Sequence, residues 1–61
     1  MSETYINTTD RVVYWIAYGD GDPAYGELQP GSQVSTGKPH LEIFTGFLAC
    51  RARLAELGTE T

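Results

Sequence analysis

The sequence predicts a small, mostly β domain: an antiparallel β-sandwich whose C-terminal segment is either a strand or a short helix. Short runs of β-branched and aromatic residues alternate with Gly- and Pro-containing turn signals, as is typical of antiparallel sheets. The 61 residues are 41% hydrophobic and only 20% charged. This composition favours one small folded domain over a disordered chain. We expect a single domain over residues 1–61, with frayed tails at 1–4 and 58–61.

The strongest strand signal covers residues 11–18, a nearly continuous apolar run between two turn signals. A shorter strand is predicted at 5–7. Because nearly every position of 11–18 is apolar, we expect both faces of this strand to be covered. In so small a chain, we expect one cover to come from another subunit or a partner. Alternation along the strand divides its side chains between two faces. One face carries Val12, Tyr14, Ile16 and Tyr18, and the other carries Val13, Trp15 and Ala17.

Turns and shorter strands follow in order. Residues 19–23, with two glycines and Pro23, predict a loop in which Gly adopts positive φ. A strand is predicted over 24–28, followed by a Pro30-Gly31 turn of the kind favoured by type II geometry. Residues 32–36 predict a polar edge strand. After a break at Gly37-Lys38-Pro39, a strand is predicted over 40–44 with Leu41 and Ile43 on one face.

The segment 47–57 fits two structures. It is rich in Ala, Leu, Arg and Glu, which favour helix, and Gly58 would end such a helix. Phe47, Cys50 and either Leu54 or Leu57 would share one helical face. Alternation of small and apolar residues, continuing the hairpin that ends at Phe44, favours a strand through about Leu54. We prefer the strand on the basis of that continuity.

Charge and cysteine content narrow the class of partner. Eight acidic and four basic residues give a net charge of −4, whereas nucleic-acid binding usually requires a basic face. Nucleic acid is therefore not an expected partner. The single cysteine, Cys50, excludes an internal disulfide. The polar N-terminus lacks a secretory pattern, and no apolar run is long enough to span a membrane. We expect a cytoplasmic protein with no membrane partner.

The order of strand and turn residues across about 6–44 carries a family resemblance. The residues concerned are Asn7, Arg11-Val12-Val13, Trp15, Asp20-Gly21, Tyr25, Leu28, Pro30-Gly31, His40-Leu41 and Phe44. This stretch resembles the β domain of the von Hippel–Lindau tumour suppressor family. The resemblance implies a small β-sandwich that recognises a peptide, which in the family carries a hydroxylated proline.

Individual site positions follow the family to different degrees. Tyr25 matches in its spacing to the following Leu and Pro-Gly, and His40 matches the second His of the family's strand. Trp15 matches only with a one-residue gap, which would turn its side chain to the opposite face. The family's His-Ser-Tyr run has no clear counterpart, and Glu42 stands where the family has an aromatic residue. We do not expect a counterpart of the family's helical ligase-recruiting domain. We therefore expect this chain to share the family's fold but not its recognition of hydroxyproline.

Catalytic and metal-binding patterns are weak. Cys50 with His40 is the only Cys/His pair, and a small buried Cys explains the thiol better than a nucleophile does. Asp20, Asp22 and Glu27 are interrupted by Pro23-Ala24 and do not form a calcium loop. The Asn7-Thr8-Thr9 triplet fits a glycosylation acceptor, which we attribute to chance. We predict no enzymatic activity, no metal and no cofactor.

Aromatic residues are the strongest indication of function. Four Tyr, one Trp and two Phe in 61 residues exceed the evident needs of so small a core, and Tyr and Trp are enriched at recognition surfaces. We predict a non-enzymatic protein-binding module that recognises a polypeptide. The alternative is a small structural or inhibitory protein, of phage or bacterial kind, that acts as a homo-oligomer. The predicted binding residues are Tyr25, Tyr14, Tyr18, Trp15 and His40.

Overall fold

The computed structural model describes residues 3–58, which form five antiparallel strands followed by one helix. The elements are β1 (Glu3–Ile6), β2 (Val13–Tyr18), β3 (Ala24–Leu28), β4 (Gln33–Thr36), β5 (His40–Phe44) and α1 (Phe47–Gly58). Strand β1 pairs with β4 in a two-stranded sheet, and a three-stranded sheet has the order β3-β2-β5. The predicted class, a small and mostly β antiparallel domain, is confirmed.

Most strand positions agree with the pattern in the sequence. Strands β3 and β5 have the predicted bounds, and β2 and β4 begin within the predicted segments. Strand β1 begins at Glu3, so Glu3 and Thr4, expected as part of a tail, are paired residues. Gly58, expected in the other tail, ends α1. The remaining tail positions, 1–2 and 59–61, lie outside the described residues.

The preference for a strand through about Leu54 is wrong, because this segment is helix α1, the alternative that the sequence left open. Its first turn is closed by a hydrogen bond from the Cys50 N–H to the Gly46 carbonyl oxygen, 3.2 Å long. A strand continuing the hairpin would have extended the sheet beside β5 and left one face of β2 uncovered. The helix instead crosses that face, where it covers Ile16 of β2 and buries its own Cys50. Burying this face of β2 stabilises the helix more than the local alternation of apolar residues favours a strand.

The core lies on both faces of the central strand β2. Val13 and Ala17 are buried on one face, together with Leu28, the partner of Val13 in β3. Ile16 is buried on the other face, beneath the helix that carries Cys50. Fully burying a Val, Ile or Leu side chain stabilises a fold by about 1.5–3 kcal/mol. The expectation that both faces of β2 are covered is confirmed. The cover comes from the same chain and not, as expected for one face, from another subunit or a partner.

Among residues 3–58, Asn7 is the buried polar residue of the core, with an exposed fraction of 0%. Its side-chain amide donates hydrogen bonds to the carbonyl oxygens of Arg11, at 2.8 Å, and Leu28, at 2.9 Å. Its side-chain oxygen accepts from the Thr9 N–H at 3.0 Å and the Thr9 hydroxyl at 2.5 Å. The Asn7 side-chain nitrogen, to which a glycan would be attached, is thus hydrogen-bonded inside the fold. This is consistent with a chance occurrence of the Asn7-Thr8-Thr9 triplet.

A tight turn connects β3 to β4. The Ser32 N–H donates to the Gln29 carbonyl oxygen at 3.0 Å, and Gly31 has a φ of 80°. Pro30 before a glycine of positive φ is the arrangement of a type II turn, as predicted. The turn is anchored to the end of β1, since the Gly31 N–H donates to the Asn7 carbonyl oxygen at 2.8 Å.

The loop between β2 and β3 requires glycine. Gly19 and Gly21 have φ values of 106° and 80°, which confirms the predicted positive φ. A Cβ on Gly19 would lie 2.6 Å from Cγ of Pro39 and 2.9 Å from Cδ2 of His40. The loop is also held by a hydrogen bond from Lys38 Nζ to the Asp20 carbonyl oxygen. The loops at 19–23 and 37–39 therefore pack directly on one another.

Candidate functional site

A groove with mostly aromatic and apolar walls lies between edge strand β3 and helix α1. Its volume is about 390 Å³, within the usual range for ligand sites. Three elements contribute its lining, with β2 below, β3 on one side and α1 on the other. We call this feature the aromatic groove, and its lining residues are Tyr14, Tyr25, Gly26, Glu27, Phe47, Cys50, Arg51 and Leu54.

Strand register explains why the groove side chains converge. Tyr14 of β2 pairs with Glu27 of β3, and Ile16 pairs with Tyr25. Directly opposed residues in an antiparallel pair point to the same face of the sheet. Tyr14, Tyr25 and Glu27 therefore share the face that α1 crosses. On α1, the spacing of Phe47, Cys50, Arg51 and Leu54 is that of one side of a helix.

The aromatic rings of the groove differ in how they are held. The rings of Tyr14 and Phe47 have centroids 5.7 Å apart and an interplanar angle of 60°, an edge-to-face contact. Such a contact adds about 0.5–1.5 kcal/mol to area burial. Phe47 nevertheless remains 54% exposed, and Tyr25 is 62% exposed. The groove thus has a fixed ring at its base and two rings largely open to solvent.

The groove carries one charge of each sign, Glu27 on the strand side and Arg51 on the helix side. The Arg51 guanidinium carbon lies 5.9 Å from the centroid of the Phe47 ring, in cation–π range. Within residues 3–58, neither charge has an oppositely charged group within 4.0 Å. Both charges are therefore available to a ligand.

The Cys50 thiol forms part of the apolar lining. The residue is buried, and burial raises the pKa of the Cys50 thiol because desolvation disfavours the thiolate. A protonated thiol in this position acts as a small apolar side chain. His40 lies elsewhere, at the start of β5, with its ring centroid 5.0 Å from that of Tyr18.

A second polar group of side chains joins α1 to the other side of the sheet. Arg53 of α1 donates from Nε to Glu42 Oε1 at 3.2 Å and from Nη2 to Glu42 Oε2 at 3.3 Å. The Tyr18 hydroxyl also donates to Glu42 Oε2, and Arg53 Nη2 lies 3.4 Å from that hydroxyl. We call these three residues the Tyr18–Glu42–Arg53 cluster.

Electrostatics of the cluster favour the charged forms of Glu42 and Arg53. Hydrogen bonds from Tyr18 and then from Arg53 lower the pKa of Glu42, and partial burial opposes them. The hydrogen bonds of Arg53 to Glu42, and then to Tyr18 and Glu56, raise the pKa of Arg53 further. The Arg53 guanidinium carbon also lies 5.5 Å from the Tyr18 ring centroid. These contacts hold α1 against β2 and β5.

The structure divides the five predicted binding residues among three places. Tyr14 and Tyr25 meet in the aromatic groove. The rings of Tyr18 and His40 contact each other near β5, on the face of the sheet that α1 crosses. Trp15 lies on the opposite face, where a Cβ on Gly26 would be 3.2 Å from its indole. The predicted residues therefore do not form one continuous surface.

Sequence reasoning missed the helix side of the groove, which is formed by Phe47, Arg51 and Leu54. These residues were not expected there because the strand interpretation of 47–57 gave them no common face. The helical spacing of Phe47, Cys50 and Leu54, present in the sequence, was the signal that identifies them.

Between residues 3 and 58, no three His, Cys, Asp or Glu side chains come together in a way that could hold a metal ion. No helix in that same part of the chain combines the length and hydropathy needed to cross a membrane. No protein-family model, curated protein or solved structure matches the chain.

Proposed function

We propose that this protein is a small protein-binding module that recognises a polypeptide segment through the aromatic groove. The observation that carries the proposal is the exposure of two rings in one concavity, Tyr25 at 62% and Phe47 at 54%. Large aromatic side chains supply much of the binding energy of protein interfaces when a partner covers them. Tyr14, fixed at the base by Phe47, provides a preformed surface for an apolar side chain.

The proposal includes a similarity to the β domain of the von Hippel–Lindau family. Tyr25, the best-matched site residue of that resemblance, lines the groove. His40 and Trp15, the other two matched positions, lie outside it, so we do not extend the proposal to hydroxyproline recognition. We also place the module in the cytoplasm, a location supported by the free thiol of Cys50.

Selection of peptides tests the proposal. A phage-displayed library of random peptides is selected on the wild-type protein, and enriched peptides are titrated while backbone amide chemical shifts are followed by NMR. We expect shifts in β3 and in the first turns of α1. Tyr25→Ala should weaken binding at least about tenfold while the thermal midpoint changes little, because the side chain is mostly exposed.

Ile6→Ala is the matched control, since Ile6 is also half-exposed, at 51%, but lies on β1 outside the groove. It should leave peptide affinity unchanged. A library that yields no specific peptide, or peptides whose shifts map to surfaces away from the groove, would contradict the proposal. An unfolded Tyr25→Ala variant would show that Tyr25 is a core residue.

A second candidate function is the homo-oligomer predicted above, and the apolar side chains at the start of α1 favour it. Phe47 is adjacent to Leu48, which is 78% exposed, and such neighbouring apolar groups often lie in interfaces. Sedimentation velocity over about a hundredfold concentration range separates the two functions. A monomer throughout favours the module, whereas a concentration-dependent dimer that Leu48→Glu dissociates favours self-assembly.

A further inference from the structure

Strand β3 presents a sheet edge beside the aromatic groove, with the Leu28 carbonyl oxygen at its end already bonded by the Asn7 amide. The order β3-β2-β5 places β3 at the end of its sheet, with β2 as its partner strand among the described residues. Along such an edge, alternate backbone N–H and C=O groups point outward and can pair with another chain. The groove follows the same strand, since Tyr25, Gly26 and Glu27 all line it.

Aromatic side chains flank this edge on both faces of the sheet. Tyr25 stands on the groove face, and the indole of Trp15 crosses Gly26 on the opposite face. The absence of a side chain at Gly26 permits that crossing, because a Cβ there would meet Cζ2 and Nε1 of Trp15 at 3.2 Å. A chain added along β3 would therefore cover apolar surface on both of its own faces.

Charge on the edge defines the chemistry of the added chain. Glu27 points into the groove from β3 and has no cationic partner within 4.0 Å among residues 3–58. The protein as a whole carries a net charge of −4, which attracts a basic segment over longer range. Arg51, the cation of the groove, lies on the helix side over Phe47 and is not a residue of the edge.

We propose that the partner is an extended segment that adds to the sheet along β3, with a basic side chain opposite Glu27 and a large apolar one opposite Tyr25. This inference rests on the proposed function and specifies its mode. Side chains on one face of a strand recur about every 7 Å, which matches the separation of Tyr25 and Glu27 at alternate positions. Opposed residues of neighbouring strands have Cβ atoms about 5 Å apart, close enough for aromatic–apolar and opposite-charge pairing.

The first test reads the sequences of peptides selected from the random library. With the wild-type protein we expect enrichment of Lys or Arg two positions from a large apolar residue, in either chain direction. With Glu27→Lys the preference should change to Asp or Glu at that position, and with Ile6→Ala it should stay as in the wild type. Enriched peptides without a charge preference, or with one that Glu27→Lys leaves unchanged, would overturn the assigned partner chemistry.

The second test addresses backbone pairing. The best wild-type binder is resynthesised with single N-methyl groups at successive amides, each of which removes one hydrogen-bond donor. Strand addition predicts that methylation at alternate positions weakens binding about tenfold while the intervening positions tolerate it. It also predicts that bound peptide slows hydrogen exchange of the outward-facing amides within Ala24–Leu28.

Failure of this inference can be distinguished from failure of the proposed function. Peptides that shift the Tyr25 and Phe47 resonances but tolerate methylation at every amide would keep the groove as the site and refute strand addition. A library with no specific binder would refute both. Slow exchange of β3 amides in the free protein, together with a dimer by sedimentation, would show that a second copy occupies the edge and would overturn the partner assignment.

Discussion

Replacing Asn7 with alanine tests whether one buried amide connects the elements of this fold. Asn7 bonds the carbonyl oxygens of Arg11, which lies just before β2, and Leu28, which ends β3, and its own backbone anchors the turn at Gly31. Alanine keeps the backbone bonds and removes all side-chain bonds. The change therefore isolates the contribution of the side chain.

The expected loss of unfolding free energy depends on whether the carbonyl oxygens that lose the Asn7 amide keep another hydrogen-bond donor. The Leu28 carbonyl oxygen is buried at this bond, and an unsatisfied buried acceptor costs about 1–3 kcal/mol. The Arg11 carbonyl oxygen keeps the Thr9 hydroxyl as a donor, at 3.0 Å, and so contributes less. With the cavity left by the amide, we expect a total loss of about 3 kcal/mol.

That loss is large for a chain of 61 residues. Stabilities of about 0.05–0.15 kcal/mol per residue give about 3–9 kcal/mol for the whole domain. At about 4–8 °C per kcal/mol, the thermal midpoint should fall by about 12–24 °C. Urea unfolding followed by fluorescence of Trp15, the single tryptophan, measures the free energy of unfolding directly.

Two further variants serve as comparisons for the stability loss of Asn7→Ala. Asn7→Asp retains the shape but turns two donated bonds into contacts between acceptors, so it should destabilise at pH 7 at least as much as alanine. Ser35→Ala removes an exposed side-chain bond to Thr4, 3.1 Å long, and should change stability by less than about 0.5 kcal/mol. If Asn7→Ala is no worse than Ser35→Ala, the connecting role assigned to this amide is refuted.

Three other predictions concern backbone, charge and packing. Gly19→Ala should destabilise by about 2–4 kcal/mol, since it combines a φ of 106° with a 2.6 Å approach to Pro39; a thermal midpoint equal to that of the wild type would contradict this. Unfolding free energy should fall as pH drops below about 4.5, because Glu42 has a lowered pKa when folded and loses its stabilising charge on protonation. Glu42→Gln should reduce this loss of unfolding free energy at low pH. If the loss is the same in the variant, the Glu42 carboxylate is not its source. Trp15→Ala should cost about 2–3 kcal/mol by circular dichroism, because its half-buried indole packs across Gly26; a loss below about 0.5 kcal/mol would show that the indole contributes little to the fold.

The strands were predictable because each has its own local signals. The segments that became β3 and β5 are short stretches in which apolar and polar residues alternate between Pro- and Gly-containing turns, so the prediction reproduced their bounds. Helix α1 was not predictable by the same means. Cys50 and Leu54 fit a period of two with Leu48 and a helical period with Phe47. The need to cover Ile16 distinguishes the two.

The groove was predictable only in part, for a related reason. Tyr14 and Tyr25 were identified from residue type, and register places them on one face. Their meeting with Phe47 depends on how α1 crosses the sheet, a tertiary feature that no local pattern contains. Tyr18 was assigned to the binding surface on the same grounds as Tyr14, but its hydroxyl is engaged by Glu42 instead.

The attachment of α1 at two points along β2 links binding to local stability. Phe47 contacts Tyr14 and Arg53 contacts Tyr18, and these two strand residues lie about 13 Å apart. Since one side of the groove is the helix itself, the groove exists only while α1 is docked. Any occupant of the groove must therefore shift the undocking equilibrium of α1 toward the docked state. Substitution of Arg53, which lies outside the groove, would accordingly weaken ligand binding without removing a single ligand contact.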